Sequence, residues 1–97
     1  MRVVAKKTLR DFWESHADCE QQLKCWFDEA ENADWKSPQD IKHDYSSASI
    51  IANNRVVFNI KDNSYRLIVK INYGYGILWI RFIGTHADYS KINAEII

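Results

Sequence analysis

Ninety-seven residues, 46% hydrophobic and 13% aromatic, suffice for one core and not for two, so a single domain spanning 1–97 is expected and a disordered tail is excluded. No apolar run approaches the roughly 20 residues that cross a bilayer, and no signal-peptide pattern opens the chain, so the expectation is a cytoplasmic protein without a membrane partner. Thirteen Lys/Arg balance thirteen Asp/Glu, and a zero net charge argues against tight nonspecific binding to long duplexes.

Met1 to Ala5 holds an apolar pair between basic residues and reads as a short strand. Thr8-Leu9-Arg10-Asp11 has the form of a capping box, which predicts a helix from there to about His16. Asp18 with Gln21 offers a second cap, and Leu23, Trp26, Phe27 and Ala30 recur at helical spacing as an apolar stripe. Two short helices in a hairpin, with Trp13, Trp26 and Phe27 in the core, are the result. Cys19 and Cys25 differ by about 240° around such a helix and cannot pair easily, so both read as reduced packing residues. His16 and His43 lack partners at metal-ligand spacing and read as surface residues.

Ser37-Pro38 starts a helix of a turn or two, with Ser37 as cap and Pro38 at its first position. Ser49 to Ala52 forms a short strand piece. Asn53-Asn54 turns into a strand over Arg55–Lys61, Asp62-Asn63 leads to a long strand over Tyr65–Tyr73, and Gly74-Tyr75-Gly76 leads to a third over Ile77–Gly84. Thr85 caps a final short helix containing His86 and Tyr89. The expected architecture is α+β, an antiparallel sheet with the helical hairpin packed on one face and a short C-terminal helix.

Strand alternation assigns the faces. Val56, Phe58, Ile60, Tyr65, Leu67, Val69, Ile71, Tyr73, Leu78, Ile80 and Phe82 fall on the core side. Asn59, Lys61, Arg66, Ile68, Lys70, Trp79, Arg81 and Ile83 fall on the other, which no helix covers. Residues 55–86 carry five Lys/Arg against Asp62 alone, whereas residues 1–54 carry seven against ten acids. That asymmetry points to an anionic partner for the sheet face. A solvated face is also the ordinary condition of one side of an antiparallel sheet, so alternation leaves both readings open.

Three segments, Asn53-Asn54-Arg55-Val56-Val57-Phe58-Asn59-Ile60, Tyr65-Arg66-Leu67-Ile68-Val69-Lys70-Ile71-Asn72-Tyr73 and Ile80-Arg81-Phe82-Ile83-Gly84-Thr85-His86-Ala87-Asp88-Tyr89, together strongly resemble the HigB toxins of bacterial type II toxin–antitoxin modules. Trp35-Lys36-Ser37-Pro38 and Asp40-Ile41-Lys42 resemble the same family. The resemblance implies a RelE-like fold, an mRNA interferase acting on the ribosome, and neutralisation by a HigA-like helix-turn-helix antitoxin. It implies neither a cofactor nor a metal.

The residues fit that chemistry. Cleavage by a ribose 2′-OH requires alignment, removal of one proton, donation of another, and stabilisation of charge on the phosphorane. Arg66 and Arg81 can grip phosphate oxygens through a planar fork, and His86 and Tyr89 are the candidates for proton transfer or hydrogen bonding. Asn59, Lys61, Lys70 and Trp79 are the expected RNA-binding set, with the indole available for stacking. Each has a bland competitor: His86 as a helix cap, Tyr89 as packing, Lys70 as a solvated charge, Asn59 as a partner for a backbone group. A noncatalytic module that uses the same basic face to bind RNA or an acidic protein segment is the alternative function. The acid-rich helical half, with Asp28, Glu29, Glu31 and Asp34, or the sheet edge is the expected antitoxin-facing surface.

Overall fold

The computed structural model describes residues 1–97. Strand β1 (Arg2–Val4) leads into helix α1 (Lys6–Ser15), a one-turn 3₁₀ segment (Ala17–Cys19) and helix α2 (Glu20–Asn32). Helix α3 (Pro38–Asp44) precedes a meander of β2 (Ser49–Ile51), β3 (Arg55–Ile60), β4 (Tyr65–Asn72) and β5 (Ile77–Thr85), and α4 (His86–Tyr89) follows directly. The sheet order is β1-β5-β4-β3-β2, with β1 parallel to β5 and every other pairing antiparallel. The sheet is therefore mixed, not wholly antiparallel as the sequence suggested. A parallel pair requires a long crossover, and here the helices and meander between β1 and β5 supply it.

The helices form where apolar periodicity demands, but three of the four expected caps, Thr8, Asp18 and Ser37, make no side-chain cap bond. Helix α1 begins two residues before Thr8, with Ala5 at its N-cap and no side-chain cap bond. Asp18 does not cap α2, since its carboxylate accepts the Tyr65 hydroxyl at 2.8 and 3.0 Å from across the chain. Ser37 and Pro38 stand where the start signal places them, although it is Asp40 that accepts a main-chain bond, from the Lys36 amide at 2.8 Å. Thr85 caps α4 as read, its hydroxyl accepting from the Asp88 amide at 3.1 Å. No helix is long and apolar enough to cross a membrane.

Leu9, Trp13, Leu23, Trp26 and Ala30 from the helices meet Val56, Phe58, Leu67, Val69, Ile71 and Leu78 from the strands in one buried cluster. Trp26 and Trp35 both pack on Phe58, at centroid separations of 5.3 and 6.3 Å. Phe27 is only partly buried at the rim. Cys19 is buried and Cys25 exposed, both free, and burial pushes the Cys19 thiol up. His16 is not a plain surface residue, because its ring stacks on Phe12 at 4.0 Å and meets the edge of Tyr65.

Two tyrosines tie helix to sheet or loop by donating to acids. Tyr65 reaches Asp18 in the 3₁₀ segment, and Tyr45 donates a short hydrogen bond to Glu29 of α2. The Asp18 bond raises the Tyr65 pKa, while burial first and Glu29 second raise that of Tyr45, both from an ordinary value of 10.0. A phenol raised on folding adds stability that is present below its unfolded pKa and is lost as pH rises through the folded value. Urea unfolding between about pH 8 and about pH 11 should therefore show wild type losing more stability than Tyr45→Phe/Tyr65→Phe, whose curve lacks these two contributions. Parallel curves would mean that neither hydroxyl is held more strongly in the folded chain.

Candidate nucleic-acid interface

The geometry of the outer sheet face follows from one irregularity between β4 and β5. Val69 pairs with Ile80 and Ile68 with Phe82, so Arg81 has no partner and bulges from the ladder. A bulge inserts one residue and reverses the alternation beyond it. Phe82, paired with Ile68, and Gly84, paired with Arg66, consequently lie on the outer face, and Ile83, opposite Leu67, turns to the core. This corrects the sequence-based assignment of Phe82 to the core and Ile83 to the outer face. The Phe82 ring lies over Gly84, where a β-carbon would meet its Cζ at 2.5 Å.

Nor is the outer face open. Val57 and Ile68 point away from the helices yet are 3% and 0% exposed and stand outside the helix-side cluster. The chain after α4 returns over them. Asn53 Nδ2 donates to the Glu95 carbonyl at 2.9 Å, Arg55 donates through Nε and Nη2 to the Ile97 main-chain oxygen at 3.2 and 2.7 Å, and Arg81 Nε reaches that same oxygen at 3.3 Å. Arg55 lies on β3 and Arg81 on β5, so the oxygen they share sits above β4 between them. An apolar patch at the centre of a sheet attracts cover, and the final segment provides it.

The expected residues fall into two groups and three outliers. At one end, Arg66 holds its guanidinium 5.7 Å from the Tyr89 ring centre and donates to the Asn63 carbonyl at 3.2 Å; the His86 ring lies 6.4 Å beyond Tyr89. His86 also keeps Ser90 Oγ at 3.5 Å from Nδ1, and its exposed ring does not cap α4. Further along, Lys70 pairs across β4 with Arg55 on one side and Trp79 on the other, beside Arg81. Arg66 and Lys70 are four residues, or about 13 Å, apart, too far to serve one phosphate.

The outliers are Asn59, Lys61 and, in part, Trp79. Asn59 stands opposite Arg66 in the ladder, but its side chain donates to the Ser47 carbonyl at 3.4 Å and lines a cleft of about 270 Å³ with Gln22, Cys25, Glu29 and Tyr45. Lys61 does not extend the strand: β3 stops at Ile60, and Lys61 and Asp62 take left-handed φ values of 53° and 58° in the turn. Trp79 shares the outer face with Lys70 but stacks on neither arginine. Arg55 is the residue that sequence reasoning left out. Its signal was available, since the alternation that places Val57 and Asn59 on the outer face also places Arg55 there.

In the acid-rich half, Glu31 accepts the Val3 amide at 3.1 Å and Glu29 accepts Tyr45, so two of its acids are engaged within the fold.

Residues 19–92, which take in the 3₁₀ segment's end, all three later helices and the whole meander, match the HigB_toxin family, the RelE-like toxic component of a toxin–antitoxin system. The chain belongs to the HigB toxin family. It is a RelE-like α+β toxin, and an antitoxin is its family-defined partner. No curated protein matches the chain as a relative.

Gly84→Ala should lower the stability of this toxin by about 1–3 kcal/mol, because the added methyl displaces Phe82 from its seat on the sheet. Phe82→Leu in the same chain should recover most of the loss, as contacting residues couple. Urea denaturation of the two single variants and the double variant checks this. Strict additivity would place Phe82 away from Gly84 and undo the assigned bulge.

Proposed function

We propose that this toxin is an endoribonuclease that cleaves messenger RNA on translating ribosomes, by metal-independent attack of a ribose 2′-OH, and that a HigA-like helix-turn-helix antitoxin neutralises it in the cytoplasm. The observation that carries the reading is the grouping of Arg66, Tyr89 and His86 at one end of a sheet face whose centre holds Arg81 and Lys70. Two cationic stations about 13 Å apart suit an extended strand carrying several phosphates better than any single small anion.

In the reaction the 2′-oxygen bonds to phosphorus and the bond from phosphorus to the 5′-oxygen breaks, leaving a 2′,3′-cyclic phosphate and a 5′-hydroxyl. One proton leaves the 2′-OH and one joins the departing 5′-oxygen. His86 is the imidazole at this end of the face, and an imidazole can both accept and donate such a proton. Arg66, braced against Tyr89, and Arg81 balance the charge that grows on the equatorial oxygens, where fixed donors act most strongly. Tyr89 orients Arg66 through its ring and offers its hydroxyl to phosphate, while Trp79 offers a stacking surface for a base beside Lys70.

Single-turnover cleavage of ribosome-bound messenger tests these roles. Arg81→Ala should slow cleavage about 100-fold, the effect of deleting one transition-state donor, and should abolish growth arrest while the fold persists. His86→Gln should slow chemistry by roughly 10²–10⁴-fold with ribosome binding unchanged. Equal loss of binding and cleavage in His86→Gln would make it a positioning residue. Growth arrest by a wild-type protein that cuts no RNA would replace the nuclease with the noncatalytic binding module.

A further inference from the structure

We propose that Arg55 and Arg81 form one phosphate subsite and that residues 93–97 occupy it in the free toxin, so that the segment must lift before RNA can bind. The inference rests on the nuclease reading for the identity of the ligand, and goes beyond it in assigning Arg55 and in giving the final segment a regulatory role.

Three features support it. Two arginines from strands on either side of β4 aim three N–H groups at a single oxygen, the Ile97 main-chain oxygen, at 2.7 to 3.3 Å. Convergence of guanidinium donors on one oxygen is how proteins hold the oxygens of a phosphate. Lys70 pairs directly with Arg55 on the same face, yet it makes no ion pair and stays exposed, so the pocket has positive charge that no Asp or Glu side chain matches. Finally, the segment is held by a few replaceable contacts: the Asn53 bond to the Glu95 carbonyl and the two arginines account for its side-chain ties to the sheet. A phosphate oxygen taking the place of the Ile97 main-chain oxygen would recover all three N–H bonds, and the exposed Lys70 beside them adds a further cation for it.

The stationing of Asn53 is itself specific. With φ of 61° and 60°, Asn53 and Asn54 sit in the left-handed region that asparagine tolerates better than most residues, and this turn delivers the Asn53 amide to the segment. Glycine at position 53 would keep the turn and remove the latch.

Binding of a fluorescent oligouridylate carrying 2′-deoxy residues, which cannot be cleaved, provides the test. If the segment is closed about nine-tenths of the time, deleting residues 93–97 should tighten binding about tenfold, and Asn53→Gly should tighten it by a smaller factor in the same direction. Arg55→Ala combined with either change should abolish the gain, because the freed subsite then lacks its main donor. Unchanged or weaker binding by the folded truncation, or by Asn53→Gly if the truncation exposes Val57 and Ile68 and fails to fold, would overturn the proposal. Inorganic pyrophosphate as a second probe separates this inference from the nuclease reading. Tighter pyrophosphate binding by the variants, with no RNA cut by any form, would keep the occupied subsite and remove the nuclease. Equal affinity of all forms for both probes, with RNA cut by the full chain, would keep the nuclease and remove the occluding segment.

Discussion

The pairing of β5 with β4 carries one residue too many, and the character of the outer face depends on where that residue sits. Arg81 occupies the bulge, so it is freed from strict alternation while its neighbours remain in the ladder. Without the bulge, Phe82 would enter the core and Ile83 would face outward. With it, Phe82 joins Val57 and Ile68 in an apolar centre, Gly84 leaves room for the ring, and Arg81 reaches over this centre to the Ile97 main-chain oxygen. Bulges bend strands and re-aim side chains, and they recur beside functional sites for that reason.

The two sides of the sheet divide the work of the molecule. Helices α1 and α2 bury most of one face, and the tyrosine bonds from Tyr65 to Asp18 and from Tyr45 to Glu29 clamp that layer at separate points. A rigid sheet follows, as close-packed interiors yield little. The other face keeps its cations half in water and buries only a small apolar patch under a short segment. Such thin cover has a low local opening free energy compared with the core, which makes the outer face the part of the fold suited to exchange one occupant for another.

Much of this was legible in the sequence. The order of elements, the meander, the Ser37-Pro38 start, the Thr85 cap and the exposure of Arg66, Lys70 and Arg81 all follow from local pattern, because alternation and start signals act over a few residues. The misread features share a different cause: each is decided by a partner distant in the chain. Asp18 has the right spacing to cap a helix, but Tyr65 takes its carboxylate. The edge strand Arg2–Val4 looks like any short strand until it pairs in parallel with Ile77–Trp79. The Arg81 bulge leaves no mark in its own segment, since no glycine stands at the extra residue. The return of residues 93–97 over the sheet has no periodicity to announce it, and so Arg55, its main anchor, escaped notice.

The central claim is that RNA lies along the outer face of the sheet, across Arg66 and the Arg55–Arg81 pair. Arginine side-chain Nε–Hε signals in ¹⁵N NMR report it most directly during titration with a 2′-deoxy-substituted oligonucleotide. The account predicts that the signals of Arg55, Arg66 and Arg81 shift together and saturate at one concentration, while Arg2 and Arg10, on β1 and α1, stay in place. Saturating shifts at Arg2 or Arg10 with the three sheet arginines unmoved would contradict it.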